Sequence, residues 1–476
     1  MANKKKTNKN AKAIVGYSLL CLVVIVFVAV LAVGAWNQGS SLIEDRVLLN
    51  TLSAYFDKAP RKITEKDLAS VQYMAFTGAD AITFGDEAKL KSVTGEETES
   101  TDEYLGEETG IGYASKFDFA DCVALFPNLK YLDISGDSKV ITSASQVVAA
   151  KNLEYLVIDG TELTDLKELG ALTALKTFSM RDVKTEDASF ISSMKALTML
   201  DISGTEIKDL SILSGMTALD NLIADSNGIT SLKGLENATK LTSLSLAGNE
   251  IESVEELAKM TDLANVNLDD NKITSLDALA SLTSLGTLYA DNNQITSIEA
   301  LNTLTALTAL HLDNNKLTSL KGAEGMKELV NLYAVENEIA DLTALSGLEM
   351  LKNLYLTGNK IVDVAPLETL KSLSILEVNE NEITDVAPLA KLTELGTLDI
   401  SKNKIADLTV LDELKKEGCA ITSDEQDVAE TEKTDSETQT TTDETAESTT
   451  DAEQTTEADK TEEDQTADAD QATANN

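Results

Sequence analysis

The stretch LTSLSLAGNEIESVEELAKM, residues 241–260, returns along the chain in altered form, for example as LKNLYLTGNKIVDVAPLETL, residues 351–370. Both carry apolar residues eight, five and three positions before a shared asparagine, and an isoleucine two positions after it. No single helix or strand explains a period of this length, so the pattern indicates a structural repeat. The asparagine recurs every 22 residues at Asn227, Asn249, Asn271, Asn293, Asn315, Asn337, Asn359, Asn381 and Asn403.

The spacing L-x-x-L-x-L-x-x-N-x-I is the signature of a leucine-rich repeat. The same frame continues upstream with the asparagine replaced by Thr205, Val183, Thr161 and, after an insertion of two residues, Asp137, which gives thirteen repeats. A threonine hydroxyl can form some of the hydrogen bonds to the turn backbone that an asparagine amide forms, whereas a valine side chain can form none. We therefore expect the early repeats to be less regular.

Each part of the repeat has a physical meaning. The alternation five and three positions before the asparagine places two side chains on one face of a short strand. The threefold spacing after the asparagine suits a tight 3₁₀ or helical return. Stacked units share one core, and the asparagine amide satisfies buried backbone groups in the turn. The predicted fold is an α/β repeat solenoid, a leucine-rich repeat horseshoe with a parallel concave β-sheet and a convex side of 3₁₀ or short helices.

The N-terminus predicts a membrane anchor. Residues 1–12 contain five lysines and no acid, and residues 14–35 contain no charged side chain. We expect a transmembrane helix over 13–35, since about 20 apolar residues span a bilayer. The lysines then keep residues 1–12 in the cytoplasm. The chain is thus predicted to cross the plasma membrane once, with the repeats and the tail outside the cell. The alternative is a cleaved signal peptide, because Val33 and Ala35 are small.

Composition divides the remaining chain. Residues 36–62 are predicted to be a juxtamembrane spacer, and 63–116 an N-terminal cap or divergent repeat with an acidic insertion. The repeat array occupies 117–422. Residues 423–476 hold 19 acids, two lysines and no aromatic residue, so we expect a disordered acidic tail.

Several functions are excluded. The net charge of −42 argues against nucleic-acid binding, because phosphates would be repelled. Cys21, Cys122 and Cys419 are too few and too far apart for a disulfide framework, so we expect them to stay unpaired. His311 has no nucleophile placed by a motif, and no glycine-rich phosphate loop precedes a helix. We expect no enzyme activity, no cofactor and no metal site.

One column of exposed strand positions is rich in aromatic residues. Four consecutive repeats place Tyr289, His311, Tyr333 and Tyr355 four positions before the asparagine, on the predicted concave face. Neighbouring strands lie about 4.8 Å apart, so these rings can form one continuous strip. Exposed aromatic residues suit binding to protein or sugar. The alternative is that aromatic residues favour strands and pack along a ladder without binding anything.

An acidic column follows two positions further along the repeats. Its members are Asp269, Asp291 and Asp313. Like charges on adjacent strands disfavour each other, so the column favours a basic partner or a bound cation. The alternative is coincidence in a chain that is acidic throughout.

The 22-residue units quoted above resemble those of the internalins, surface leucine-rich repeat proteins of Gram-positive bacteria, over residues 117–416. The resemblance implies that the concave face holds a partner protein and that Tyr289, His311, Tyr333 and Tyr355 match its binding positions. The repeats also resemble a eukaryotic protein phosphatase regulatory subunit, which is a cytoplasmic scaffold.

The sequence thus predicts a monomeric, membrane-anchored extracytoplasmic protein that binds a protein or glycan through its concave face. A competing hypothesis is a structural spacer of the cell envelope whose acidic tail interacts with cations or wall polymer. A third is a cytoplasmic scaffold of the phosphatase-regulatory type.

Overall fold

The computed structural model describes residues 52–59, 62–77, 81–94, 123, 125–135, 141–185 and 187–427. The chain divides into two compact units, Met1–Val428 and Ala429–Asn476, and only the first contains described residues. The predicted cytoplasmic segment, the predicted anchor over 13–35 and nearly all of the predicted tail lie outside the described residues. Within the described ranges, no helix combines the length and the apolar character needed to cross a membrane.

A 16-stranded sheet runs through the described residues. Strands β3 to β16 follow one another in chain order, all parallel, and β1 pairs with β3 in parallel and with β2 in antiparallel orientation. The strands are β1 (Tyr73–Thr77), β2 (Ala81–Gly85), β3 (Tyr131–Asp133), β4 (Tyr155–Val157), β5 (Thr177–Ser179), β6 (Met199–Asp201), β7 (Asn221–Ile223), β8 (Ser243–Ser245), β9 (Asn265–Asn267), β10 (Thr287–Tyr289), β11 (Ala309–His311), β12 (Asn331–Tyr333), β13 (Asn353–Tyr355), β14 (Ile375–Glu377), β15 (Thr397–Asp399) and β16 (Ala420–Thr422).

The sequence period sets the register of the sheet. Leu288 pairs with Leu310, and Leu310 with Leu332, in steps of 22 residues. Each of these strands buries its middle residue and leaves its first and third residues at least partly exposed. The prediction of a parallel sheet built by the repeats is confirmed.

Short 3₁₀ helices return the chain from one strand to the next, as the threefold apolar spacing predicted. A typical return spans Glu299–Thr303, where Leu301 is buried and the Leu304 N–H donates to the Leu301 carbonyl. The returns are η1 (Leu166–Ala171), η2 (Ser189–Ser193), η3 (Leu210–Leu213), η4 (Glu255–Lys259), η5 (Asp277–Ser281), η6 (Glu299–Thr303), η7 (Ala323–Gly325), η8 (Thr343–Leu345), η9 (Ala365–Thr369), η10 (Ala387–Lys391) and η11 (Thr409–Leu411).

Short α-helices near the two ends of the described region include α1 (Glu65–Ser70), α2 (Glu87–Thr94), α3 (Ala144–Val147) and α4 (Asp412–Lys416). The first begins with a capping box, in which Thr64 and Asp67 satisfy each other's backbone N–H groups. One apolar cluster extends from Leu52 to Cys419. The Cys419 side chain is buried and forms no disulfide. The β1–β2 hairpin forms one edge of the sheet, and β16 forms the other.

The asparagines form a buried ladder and are between 1% and 8% exposed. The Asn315 Nδ2 donates to the Ala290 carbonyl of the preceding repeat at 2.9 Å and to the Leu312 carbonyl of its own repeat at 3.1 Å. Its Oδ1 accepts the Ile295 N–H at 2.9 Å. One amide therefore joins two repeats through groups that the solenoid removes from water.

The ladder changes at both ends. The Thr205 hydroxyl donates to the Ile202 carbonyl of its own repeat at 2.7 Å, and Val183 is buried with no polar group to offer. At the other end, Gln426 takes the next position: its Nε2 donates to the Ile400 carbonyl at 2.8 Å. Composition predicted that residue 426 belongs to the acidic tail, whereas its side chain continues the ladder. The amide lies 23 residues after Asn403 because β16 pairs one residue out of the 22-residue period.

Candidate functional site

The side of the sheet away from the core is here called the open face. It comprises the first and third residues of each strand, whose side chains point away from the buried middle residue, and the residue two positions beyond the third. The predicted binding residues all lie on this face. The third residue of each strand carries the aromatic column, and the position two further on carries the aspartate column.

Four aromatic rings on the open face form a continuous stack. They are the third residues of β10 to β13, and strand pairing places them in register. Ring centroids lie 4.4 Å apart between Tyr289 and His311, 4.2 Å between His311 and Tyr333, and 4.5 Å between Tyr333 and Tyr355. The last two pairs are nearly parallel, at 13° and 6°. We call this set the four-ring stack.

The stack presents ring edges rather than ring faces. At these separations the inner ring faces are covered by neighbouring rings, so the accessible surface between the two ends of the stack consists of ring edges and hydroxyls. Tyr289, at the end of the stack, is 37% exposed. Burial lowers the pKa of His311, which favours the neutral imidazole at pH 7. Burial also raises the pKa of Tyr355, so its hydroxyl remains a hydrogen-bond donor.

The aspartate column joins adjacent repeats by accepting backbone hydrogen bonds. The Asp269 Oδ1 accepts the Asp291 N–H at 2.7 Å, the Asp291 Oδ1 accepts the Asp313 N–H at 2.6 Å, and the Asp313 Oδ1 accepts the Val335 N–H at 2.7 Å. Each carboxyl group thus ties its repeat to the next one. Burial raises the pKa of all three, and with the added effect of Asp313 and Asp269 that of Asp291 reaches about 7. No group of three or more potential ligands that could hold a metal ion occurs in the part of the chain described by the structure.

A second aromatic set lies nearer the N-terminal edge and was not anticipated from the sequence. Tyr73, Tyr131 and Tyr155 are the first residues of β1, β3 and β4. The Tyr73 and Tyr131 centroids lie 4.7 Å apart, and those of Tyr131 and Tyr155 lie 6.1 Å apart. These residues occupy a different column of the open face, with spacings of 58 and 24 residues, so a search at 22 residues misses them. The shared motif N-L-x-Y-L at 128–132 and 152–156 was the available signal.

Comparisons with known proteins agree with this architecture. A family model described as leucine-rich repeat matches residues 235–336. The chain is similar to the crystal structure of an internalin, InlF from Listeria monocytogenes, with 25% identity and a TM-score of 0.58 over 81% of this chain and 95% of that one. It is also similar to a leucine-rich repeat protein of Leptospira interrogans, with 24% identity and a TM-score of 0.58 over 66% of this chain and 83% of that one.

A third solved structure, the functional domain of InlJ from Listeria monocytogenes, shares 20% identity and a TM-score of 0.55 over 74% of this chain and 78% of that one. No curated protein sequence matches the chain. The described repeats therefore form a leucine-rich repeat solenoid that is similar to those of internalin-type proteins.

Proposed function

We propose that this chain is a non-enzymatic, membrane-anchored extracytoplasmic protein that binds a partner protein through the open face of its sheet, with the four-ring stack at the centre of the contact. In leucine-rich repeat proteins this is the concave side. The observation that supports the proposal most directly is the unbroken stack of Tyr289, His311, Tyr333 and Tyr355, which concentrates aromatic surface on one part of the open face.

The geometry of the stack favours a protein over a glycan. Sugars pack on aromatic faces, and here the inner faces are covered by neighbouring rings. Ring edges and hydroxyls instead suit apolar side chains combined with backbone or side-chain acceptors, as at protein interfaces. Tyrosine also supplies a large contact area with little conformational entropy to lose.

The location rests on sequence and resemblance. Residues 13–35 serve as the anchor because they form an uncharged run after five lysines. The similarity to internalin structures is consistent with display outside the cell. Protease added to intact cells is then expected to remove an epitope placed after residue 427, and full protection of that epitope would contradict this topology.

The binding proposal is tested with the chain from residue 37 to its C-terminus, immobilised and exposed to solubilised cell-surface proteins. The test variant changes Tyr289, Tyr333 and Tyr355 to Ala together. A matched control changes Met350 and Val362 to Ala, which removes exposed apolar side chains that lie outside the strands. Wild type and control are expected to retain the same captured proteins, and the triple alanine variant to lose them at least tenfold.

Two further results complete the test. The corresponding triple phenylalanine variant keeps the stack and removes the hydroxyls, so partial retention assigns the remaining contact to the ring edges. Equal capture by wild type and the alanine variant would contradict the proposal and favour the structural spacer. Thermal melts of all variants confirm that any loss is not unfolding.

A further inference from the structure

We propose that the open face binds an extended, basic segment of the partner, which reaches from the four-ring stack to a second subsite formed around Tyr131 and Tyr155. This inference rests on the proposed function, since it concerns the same face. It adds the charge, the conformation and the minimum length of what is bound.

The open face carries mainly negative charge. From β3 to β15, the open-face positions hold nine acids and a single cation, Arg181. The lysines of the same repeats lie elsewhere, for example in exposed ion pairs such as Lys272–Glu250 and Lys360–Glu338 on the turns that follow the ladder. A face of one sign favours a partner of the opposite sign and speeds their encounter. The nine acids are Asp133, Asp159, Asp201, Asp225, Asp269, Asp291, Asp313, Glu377 and Asp399.

Acids also continue the column of the four-ring stack. Glu377 pairs with Tyr355 across β13 and β14, and Asp399 follows it on β15. Burial and the neighbouring Asp399 raise the pKa of Glu377. A cationic side chain bound beside these two groups would favour their charged forms and gain from the contact. The end of the stack therefore suits a lysine or arginine of the bound segment.

The second subsite combines aromatic and charged groups. Tyr131 and Tyr155 are partly exposed first residues of β3 and β4. Further along the same face, Arg181 Nε lies 3.1 Å from Asp159 Oδ2 and 3.2 Å from Asp201 Oδ2, which fixes both carboxylates in place. Tyrosine and arginine are both enriched among the residues that dominate binding at interfaces.

The distance between the two subsites determines what can bridge them. Six strand steps separate Tyr155 on β4 from Tyr289 on β10, which corresponds to about 29 Å at the usual strand spacing. An extended chain covers this distance with about nine residues at about 3.3 Å each. Between the subsites, the first and third residues of β8 and β9 are Ser243, Ser245, Asn265 and Asn267. These small polar side chains leave the surface open for a backbone to cross.

The experiment uses a phage-displayed library of random 16-residue peptides, selected on the full chain held in detergent micelles. Wild type is expected to enrich peptides rich in Lys and Arg, with apolar residues near both ends. A synthetic copy of an enriched peptide is then measured against three proteins: wild type, the variant with Tyr131 and Tyr155 changed to Ala, and the variant with Tyr289, Tyr333 and Tyr355 changed to Ala. Each variant is expected to weaken binding at least tenfold, and each half-length peptide at least a hundredfold.

Charge is tested separately with Glu377→Gln and Asp291→Asn, which preserve the size of both side chains. Binding is expected to weaken in this double variant and to fall as salt rises. The matched control is Glu250→Gln on an exposed turn, which should leave affinity unchanged.

The outcomes separate the two proposals. Dependence on the four-ring stack without dependence on Tyr131 and Tyr155 would overturn the extended-segment inference and leave the proposed function standing. Enrichment of neutral or acidic peptides would overturn the inference that the bound segment is basic and would also leave the proposed function standing. Peptide binding that is indifferent to both aromatic sets, together with unchanged capture of cell-surface proteins by the stack variant, would contradict both proposals. Failure to select any peptide while stack-dependent capture persists would show that the partner presents a folded surface, against the extended segment.

Discussion

Asn315 shows what one ladder amide contributes. Replacing it with leucine leaves the buried Ile295 N–H without a partner and removes the shorter of the two amide hydrogen bonds to the Ala290 carbonyl, which keeps only the Asn293 Nδ2 at 3.3 Å. Because unsatisfied buried polar groups are costly, we expect Asn315→Leu to lower the free energy of unfolding by about 2–4 kcal/mol, measured by urea denaturation. The matched control is Asn265→Leu on the exposed first position of β9, where a change within about 0.5 kcal/mol is expected. Equal effects of the two substitutions would contradict the ladder.

Asp291 carries a pH dependence whose sign can be worked out. Burial and the adjacent Asp313 and Asp269 raise its pKa from the ordinary 3.8 to about 7 in the folded chain. Between pH 3.8 and pH 7 the folded state holds a proton on Asp291 that the unfolded state releases. The contribution of Asp291 to the free energy of unfolding is therefore fully present below pH 3.8 and is lost as pH rises through about 7. Asp291→Asn keeps an oxygen that can accept the Asp313 N–H and removes the charge. We expect the variant to melt above wild type at pH 8 and to match it at pH 4, and a constant difference across this range would refute the assignment.

Two of the returns between strands, those that contain Gly234 and Gly322, differ from the rest because the glycine lets neighbouring repeats approach closely. Gly322 has φ +110°, and a Cβ added there would lie 2.2 Å from the Ile298 carbonyl oxygen. Gly347 provides the contrast: its φ is also positive, at +79°, but an added Cβ would meet nothing within 4 Å. Gly234 repeats the Gly322 arrangement, 2.1 Å from the Leu210 carbonyl oxygen. The sequence motif S-L-K-G is common to both close approaches, at 231–234 and 319–322.

The comparison of these glycines gives a prediction for the returns. Gly347→Ala should cost only the strain of a left-handed alanine, about 1–2 kcal/mol. Gly322→Ala should cost a further 1–3 kcal/mol or so, because the backbone of the preceding repeat must move. Urea denaturation of both variants checks the difference. A Gly322 variant no less stable than the Gly347 variant would show that the repeats have room to separate at this return.

The elements that repeat strictly were those that the sequence could predict. The 22-residue spacing was enough to predict the parallel strands and the 3₁₀ returns, and it identified the column that became the four-ring stack. The position before the ladder residue could not be predicted, because it is left-handed in successive repeats yet is filled by Asp270, Asn292, Asn314 and Glu336 without a common residue type. The tyrosines of β3 and β4 and the amide of Gln426 were missed because insertions shift them out of the period.

The chain as a whole must tolerate a net charge of −42. Residues 423–476 account for 19 of the acids against two lysines, so much of the charge lies beyond the repeats. From Lys316 to Lys404, the position after the ladder residue alternates in sign from repeat to repeat. The Nζ of Lys360 lies 2.6 Å from Glu338, and that of Lys404 lies 2.7 Å from Glu382. Exposed pairs of this kind contribute little energy each. These pairs avoid like charges at this position on adjacent repeats.

A solenoid is stabilised by neighbours only, so each end must be closed locally. At the C-terminal end, Gln426 donates to the Ile400 carbonyl, and its Oε1 accepts the Ile405 N–H at 3.0 Å. Gln426→Ala leaves the Ile405 N–H unpaired, whereas the Ile400 carbonyl keeps its hydrogen bond from Asn403 Nδ2. Because one unsatisfied buried group costs about 1–3 kcal/mol, we expect hydrogen exchange at the Ile405 amide to accelerate at least tenfold.

The same experiment tests how far the effect of this cap extends. Exchange at the Ile295 amide, five ladder positions away and bonded to Asn315, should remain at the wild-type rate, since repeats communicate only through their neighbours. Glu425→Gln is the control, because it changes an exposed side chain beside the cap and should leave both amides as they are. Uniform acceleration across the array would mean that the repeats unfold as one cooperative unit and that Gln426 stabilises all of them. Acceleration confined to Ile405 and its neighbours would assign Gln426 to a local cap that closes the core at this end.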